Sequence, residues 1–489
     1  MNLSNNSNTW LERKFHIAAR NSKPITEFSG GTAAFMSMIY IVPVSATMYA
    51  LAGVNSVAAG VAISLVTCII SILMGLVANL PIMLSTGMGI NAFAVFSVCL
   101  AKGYPFDLVM ICTFLEGVAF FCLSLSGIRS KVAMALPHNL KMFIGGGIGL
   151  FLINIGWQNT HFIVNDDSTL TTMVSFRQNF STQGITAVLA IIGLIIIIIL
   201  TVRKSKVAII AGIIITWVLG MICQALGIYV PDVEAGYYSL YPAIGFTNPF
   251  AVGPIWVDLS TVSFTWSMLG DIIIITCTMF YSDFFDTLGT CMTCIEKIKA
   301  QMRAEIEAFK EAKSEIELTK KMERELRELE GERTTKLALM IDAIGTIVGA
   351  ILRCTTITSF VESGAAIESG ARTGLSSIVT GLWFFLAIFF TSIFTSIPGF
   401  ATGPALVVVG ASMVLTTMKQ VDLSDNKIHE LIPGIICLAA TCLTYNIANG
   451  IAAVIICYVA VTIFTKHRKE IHPILYALAV LLVAKFFFL

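Results

Sequence analysis

Arg353-Cys354-Thr355-Thr356-Ile357-Thr358-Ser359-Phe360-Val361-Glu362 follows the apolar run Leu337–Leu352 and precedes a second apolar run. Seven of its ten side chains are polar or a small thiol, where an unbroken membrane helix would carry leucine. An earlier stretch has the same grammar. The apolar run Val57–Ala78 stops at Asn79-Leu80-Pro81 and is followed by Ser85-Thr86-Gly87-Met88-Gly89-Ile90-Asn91. Interrupted spans at corresponding places in two halves of a chain point to a transport site at mid-membrane. Half-helices that meet there expose backbone N–H groups and favour a hydrogen-bond-accepting or anionic ligand.

The surrounding composition supports a membrane setting. The chain has 489 residues, 56% hydrophobic and 12% charged, with a mean hydropathy of +0.85. Runs such as Ile185–Leu200 and Val207–Leu226 approach or reach the ~20 residues that a helix needs to cross the hydrocarbon. They are continuous instead of alternating, which excludes a β-barrel, and they are too many for a soluble enzyme. The expected fold is all-α and polytopic, with about fourteen spans. Met1–Glu27 is polar and basic, with no signal-peptide core. The net charge of +1 points to no acidic or nucleic-acid partner.

Basic residues cluster at Arg13/Lys14/Arg20/Lys23, Arg129/Lys131/Lys141, Arg203/Lys204/Lys206 and Lys466/Arg468/Lys469. A fourteen-span count puts all four clusters on one side, which the positive-inside rule makes cytoplasmic. The expected setting is the plasma or inner membrane, with the N-terminus in the cytoplasm. Ile474–Leu489 is apolar, and the sequence leaves open whether it crosses. Segment 296–336 is different: dense in balanced charge, with apolar residues at Met302, Ile306, Phe309, Ile316, Met322, Leu326 and Leu329. It reads as a cytoplasmic amphipathic helix with solvated, salt-bridged faces, the alternative being a docking or oligomerisation arm.

Carboxylates inside apolar spans are the candidate working groups, because burying them is expensive without a cavity, a proton or a partner. Asp283 and Asp286 sit three apart on one helix face in Tyr281-Ser282-Asp283-Phe284-Phe285-Asp286-Thr287-Leu288-Gly289-Thr290. They are proton-coupling or structural candidates, Asp283 also a ligand candidate. Glu362 lies just after the tenth-span break and suits the N–H edge of a planar ligand. Asn91 offers an amide donor and acceptor. Phe360 and Phe93 are candidate stacking rings. Glu116 is expected to pair between helices, and Asp271 and Asp342 to lie near the interfaces. Cys291-x-x-Cys294 lacks a second ligand pair, and no histidine sits deep in a span, so no metal is expected.

Several motifs carry a family resemblance: Asn79-Leu80-Pro81, Gly87-Met88-Gly89-Ile90-Asn91-Ala92-Phe93, Phe285-Asp286-Thr287-Leu288-Gly289-Thr290, Val361-Glu362-Ser363 with Arg372-Thr373-Gly374-Leu375, and Tyr445-Asn446-Ile447-Ala448-Asn449-Gly450. In this order they resemble the AzgA-like branch of the nucleobase–cation symporters, the adenine–guanine–hypoxanthine permeases. The likeness runs from Thr26 to the C-terminus. It implies two inverted seven-helix repeats, half-helices in spans three and ten, a core domain of spans one to four and eight to eleven, and a gate domain of the rest. It implies purine uptake by proton symport, with no cofactor beyond the proton gradient, by a homodimer alternating between core and gate. The family's acids fall on Asp283, Asp286 and Glu362, its asparagine on Asn91, and an aromatic of the wider superfamily on Phe360. There are departures: Ser45-Ala46 stands for a usual Asn-Pro, Ser85-Thr86 for Ala-Pro, Arg353 for a small residue, and the charged linker is longer.

The expected organisation is a cytoplasmic segment over 1–27, core over 28–126, gate over 127–265, core span eight over 266–295 and the charged insertion over 296–336. Core resumes over 337–395, gate over 396–465, and 466–489 is a basic segment with an apolar helix. In this reading a neutral purine lies between spans three and ten, held by Glu362 with Asp283 at its second edge. The alternatives are an anion or other small-solute transporter of the same fold, with Arg353 as its support, and a membrane scaffold or sensor acting through 296–336.

Overall fold

The computed structural model describes residues 10–126, 137–166, 170–175, 179–203, 205, 207–232, 237–241, 245–253, 255–258, 260, 262, 268–312, 316–444, 447–468 and 471–488. Arg129, Lys131, Lys204, Lys206, Lys469, Tyr445 and Asn446 lie outside them.

Among the described residues, eight helices are long and apolar enough to cross a membrane: Pro24–Leu51, Ser56–Ala78, Phe106–Ser126, His138–Asn159, Phe180–Val202, Ala208–Ala225, Glu332–Ile351 and Gly399–Gln420. Shorter apolar helices cover Met88–Leu100, Gly374–Ile388, Ile428–Leu443 and Asn449–Ile463. The apolar half of Met268–Glu311 and the broken tenth span complete fourteen crossings. The last helix, Pro473–Phe488, packs on Ile447–Ile463. Its sixteen residues reach about 24 Å, short of the ~30 Å hydrocarbon core.

The breaks fall where the residues dictate. Ser56–Leu73 widens into a π-helical turn, Met74–Ala78, and ends at Asn79 with φ 51°. Glu332–Ile351 ends before Arg353, with φ 55°. Asparagine tolerates this left-handed geometry; arginine adopts it against preference. Each break leads into a short strand, Leu84–Thr86 and Ile357–Ser359, which pair antiparallel with Ser85 opposite Thr358. Extended backbone at membrane depth survives only when its polar groups are paired. Here the two halves of the chain pair with each other, and half-helices follow at Met88–Ala92 and Ser363–Glu368.

The charged segment corrects one expectation. No break separates it from the eighth span: Met268–Glu311 is one 44-residue helix, so residue 296 bounds a change of composition and not an element. Ile316–Glu330 folds back beside it. Met302, Ile306, Met322 and Leu329 are buried, so the apolar face of the arm is docked, while its outer face is solvated and salt-bridged as expected, with Lys310 2.7 Å from Glu323 and Arg303 2.6 Å from Glu330. Arg20 donates to Glu325 at 2.9 Å and to the carbonyls of Asn79 and Arg372 at 2.8 and 2.9 Å. Arg372 forks onto Glu305. The arm and the N-terminal segment therefore clasp the ends of both broken spans.

Candidate functional site

A cavity of about 380 Å³, counted to its open mouth, lies where the third, eighth and tenth spans face the fifth and twelfth. Met88 and Gly89 come from the first half-helix, Asp286 and Thr290 from the eighth span. Thr358, Ser359, Phe360, Val361 and Glu362 follow one another along the tenth, and Ile148, Leu152, Val409 and Met413 close the far side. One wall is thus acids, hydroxyls and an aromatic ring, and the other is aliphatic side chain and thioether. A flat, uncharged ligand rich in N–H groups matches both walls.

The strand pair holds Glu362 in place. Phe360 donates its N–H to the Met83 carbonyl at 3.0 Å, and the Met83 N–H is received by the Ser363 hydroxyl at 2.9 Å. The Glu362 carboxylate, half-buried, accepts from the Tyr40 hydroxyl. Tyr40 sits at the turn between Pro24–Met38 and Ile41–Leu51 and is itself buried. Asp286 lies within electrostatic reach of both Glu362 and Asp342.

The structure separates the other sequence candidates from this wall. Asp283 is fully buried, and Thr287 bridges it to Asp342, its hydroxyl 3.0 Å from one and 2.9 Å from the other. Asp342 was expected near an interface; it is buried against the eighth span, because that part of the ninth span packs inside the core. Asn91 is also enclosed. It donates to the Ser45 hydroxyl at 2.7 Å and accepts from Tyr49 at 3.0 Å and from Thr355. With Ser45 in place of the usual Asn-Pro, the asparagine is absorbed into an interhelical network. Phe93 packs against the apolar core. None of Asp283, Asn91 and Phe93 is among the described lining residues. Glu116 pairs as expected, accepting from Thr356 at 2.7 Å.

Arg353 is tied to Asp107 at 2.8 Å in a pair largely withdrawn from solvent. It does not line the cavity, which removes the residue that supported an anion substrate. Tyr40, Thr290 and the aliphatic wall were not singled out in the sequence. Isoleucine, leucine, valine and methionine inside spans give no signal, and Tyr40 stands alone between two apolar runs.

Comparison with known proteins agrees with this architecture. The Permease family profile matches residues 26–310. A putative permease of Methanocaldococcus jannaschii is 32% identical over 98% of this chain and 99% of the relative. The guanine/hypoxanthine permease PbuG of Bacillus subtilis is 32% identical over 95% and 96%. The adenine permease AdeP of Escherichia coli is 28% identical over 98% and 96%. Among solved structures, the transmembrane domain of the cyanobacterial bicarbonate transporter BicA superposes with a TM-score of 0.57 over 88% of this chain and 97% of that one, at 15% identity. That likeness concerns the fold alone, the inverted seven-plus-seven repeat. The fold and the mid-membrane cavity are those of a multi-pass transporter, not an enzyme. The chain belongs to the Permease family.

Proposed function

We propose that this protein imports purine nucleobases across the plasma membrane by proton symport, with its N-terminus in the cytoplasm. The names of PbuG and AdeP support the substrate class. The observation that carries the reading is the joint presence of Asp286, Glu362 and Phe360, from two different spans, on one cavity wall. Glu362, oriented by Tyr40, accepts hydrogen bonds from ring N–H or exocyclic amino groups. Phe360 offers the face of its ring. Asp286, and not Asp283, takes the second edge of the base, because Asp286 lines the cavity and Asp283 does not. Asp283, Thr287 and Asp342 stand behind it and carry the coupled proton.

The cavity lies between the proposed core and gate, so a rigid displacement of one against the other exposes it to either side. The core comprises 28–126, 266–295 and 337–395; the gate comprises 127–265 and 396–465. Purified protein in proteoliposomes under an inward proton gradient tests the reading. Labelled guanine, hypoxanthine or adenine accumulates, an uncoupler abolishes accumulation, and Glu362→Ala removes saturable uptake. Unchanged uptake by folded Glu362→Ala protein takes Glu362 out of the site. Uptake indifferent to the uncoupler rejects proton coupling.

A further inference from the structure

Below the candidate base site, toward the arm, the cavity continues into a vestibule of about 690 Å³ on the same measure. The two spaces share Ile148, Asp286, Thr290, Val361 and Met413. The vestibule is nearly twice as large, and its outer wall changes character. Lys141, Lys297 and Gln420 stand there, with Thr416 and Thr417 beside them. Lys297 lies 3.6 Å from Glu368, a loose pair with both side chains well exposed. Lys141 is half-buried and has no hydrogen-bonding or charged partner among the described residues.

A lysine held partly out of water on a cavity wall, with no counter-charge, is an electrostatic vacancy for an anion. A bare base offers it ring-nitrogen or carbonyl acceptors but no negative charge. The vestibule is therefore polarised: an acid that receives N–H groups at its deep end, and two ammonium groups at its mouth. We propose that it binds a purine nucleoside monophosphate, with the phosphate on Lys141 and Lys297 and the base directed at Asp286 and Thr290, and that the bound nucleotide competes with the transported base for Asp286. This rests on the purine reading of the deeper site. It adds a second ligand class, a phosphorylated form of the cargo, acting from the arm side.

The test uses the full-length protein in nanodiscs of neutral lipid, with labelled guanine as reporter and GMP, guanosine and inorganic phosphate as competitors. GMP is expected to displace guanine at least tenfold more effectively than guanosine, and inorganic phosphate not to displace it. Lys141→Met is expected to weaken GMP at least tenfold while shifting guanine affinity less than twofold. Lys297→Met serves as the second variant should the first fail to elute as folded protein. Guanine binding without competition by GMP overturns the vestibule site and leaves the purine reading standing. Failure of any base to bind overturns both. Loss of GMP competition on adding phosphatidylglycerol, or equal competition by inorganic phosphate, assigns the lysines to lipid headgroups or to free phosphate and overturns the nucleotide site.

Discussion

Ser71 and Thr346 do the same work in the two halves of the chain. The Ser71 hydroxyl accepts from the Leu84 N–H at 3.3 Å and donates to the Leu84 carbonyl at 3.4 Å. The Thr346 hydroxyl accepts from the Ile357 N–H at 3.3 Å and donates to the Ile357 carbonyl at 3.2 Å. Leu84 and Ile357 are the first residues of the two paired strands. A hydroxyl on the preceding span thus completes each strand where the partner strand does not reach.

Removing either hydroxyl leaves buried backbone groups unsatisfied, at about 1–3 kcal/mol each. Ser71→Ala and Thr346→Val are expected to lower the midpoint of thermal unfolding in detergent, and the double variant to fall further than either. Substitutions that leave the midpoint unchanged would show that the strands do not depend on these contacts.

The span-by-span architecture was legible from the sequence because the lipid constraint is severe. Asn79-Leu80-Pro81 and the Thr/Ser run after Arg353 announce breaks that no continuous helix would carry. That the broken ends pair as strands was not legible, since three-residue segments have no periodicity to read. The acids were visible as costly residues, but which of them faces the cavity was not. Asp283 and Asp286 are one helical turn apart, and the choice is made by Asp342 on another span. The docking of the arm was hidden for a similar reason, because Glu305 and Glu325 find their arginines, Arg372 and Arg20, far away in sequence.

Tyr40 sets the direction of the Glu362 carboxylate. Tyr40→Phe keeps the ring and removes the hydroxyl. A hydrogen bond to a charged group contributes about 1.5–3 kcal/mol, so base affinity is expected to drop roughly tenfold or more, with the protein still folded. Unchanged affinity would mean that Glu362 is oriented by other contacts.

Gly75 and Gly374 bring the second and eleventh spans into backbone contact. A Cβ added to either would collide with the carbonyl oxygen of the other. Backbone cannot yield as a side chain does, so Gly75→Ala and Gly374→Ala are each expected to cost about 1–3 kcal/mol or more and to reduce the yield of monodisperse protein. Gly145→Ala is the control, because a Cβ there meets nothing within 4 Å.

Arm docking is expected to depend on pH through Glu305. The Arg372 guanidinium hydrogen-bonded to it holds its carboxyl below the usual glutamate range. A lowered value in the folded state means that the contact contributes fully above the ordinary value, ~4.3, and is lost as pH falls through the lowered one. Hydrogen exchange in Ile316–Glu330, taken relative to the intrinsic amide rate at each pH, should be slow at pH 7 and rise in that acid window. Glu305→Gln should raise it already at pH 7. Exchange that is equally slow in the variant would place the docking energy in the buried Met302, Met322 and Leu329 instead.

Asp286 and Asp283 are separated by one turn and by their surroundings, so their amide variants should part in kind. Asp286 lines the cavity, and in the proposed pose Asp286→Asn presents an N–H where the base also presents one. Base affinity is expected to fall at least tenfold, because an unpaired donor left against a donor is costly. Asp283 is withdrawn into the contact with Thr287 and Asp342, so Asp283→Asn should leave base affinity within a few fold. Its effect should appear in coupling: guanine still equilibrates across the proteoliposome membrane, while an imposed proton gradient no longer drives accumulation. Equal losses of binding in both variants would make the two acids one ligand-facing unit. Full coupling in Asp283→Asn would move the proton elsewhere, with Asp286 and Glu362 the remaining carriers on the cavity wall.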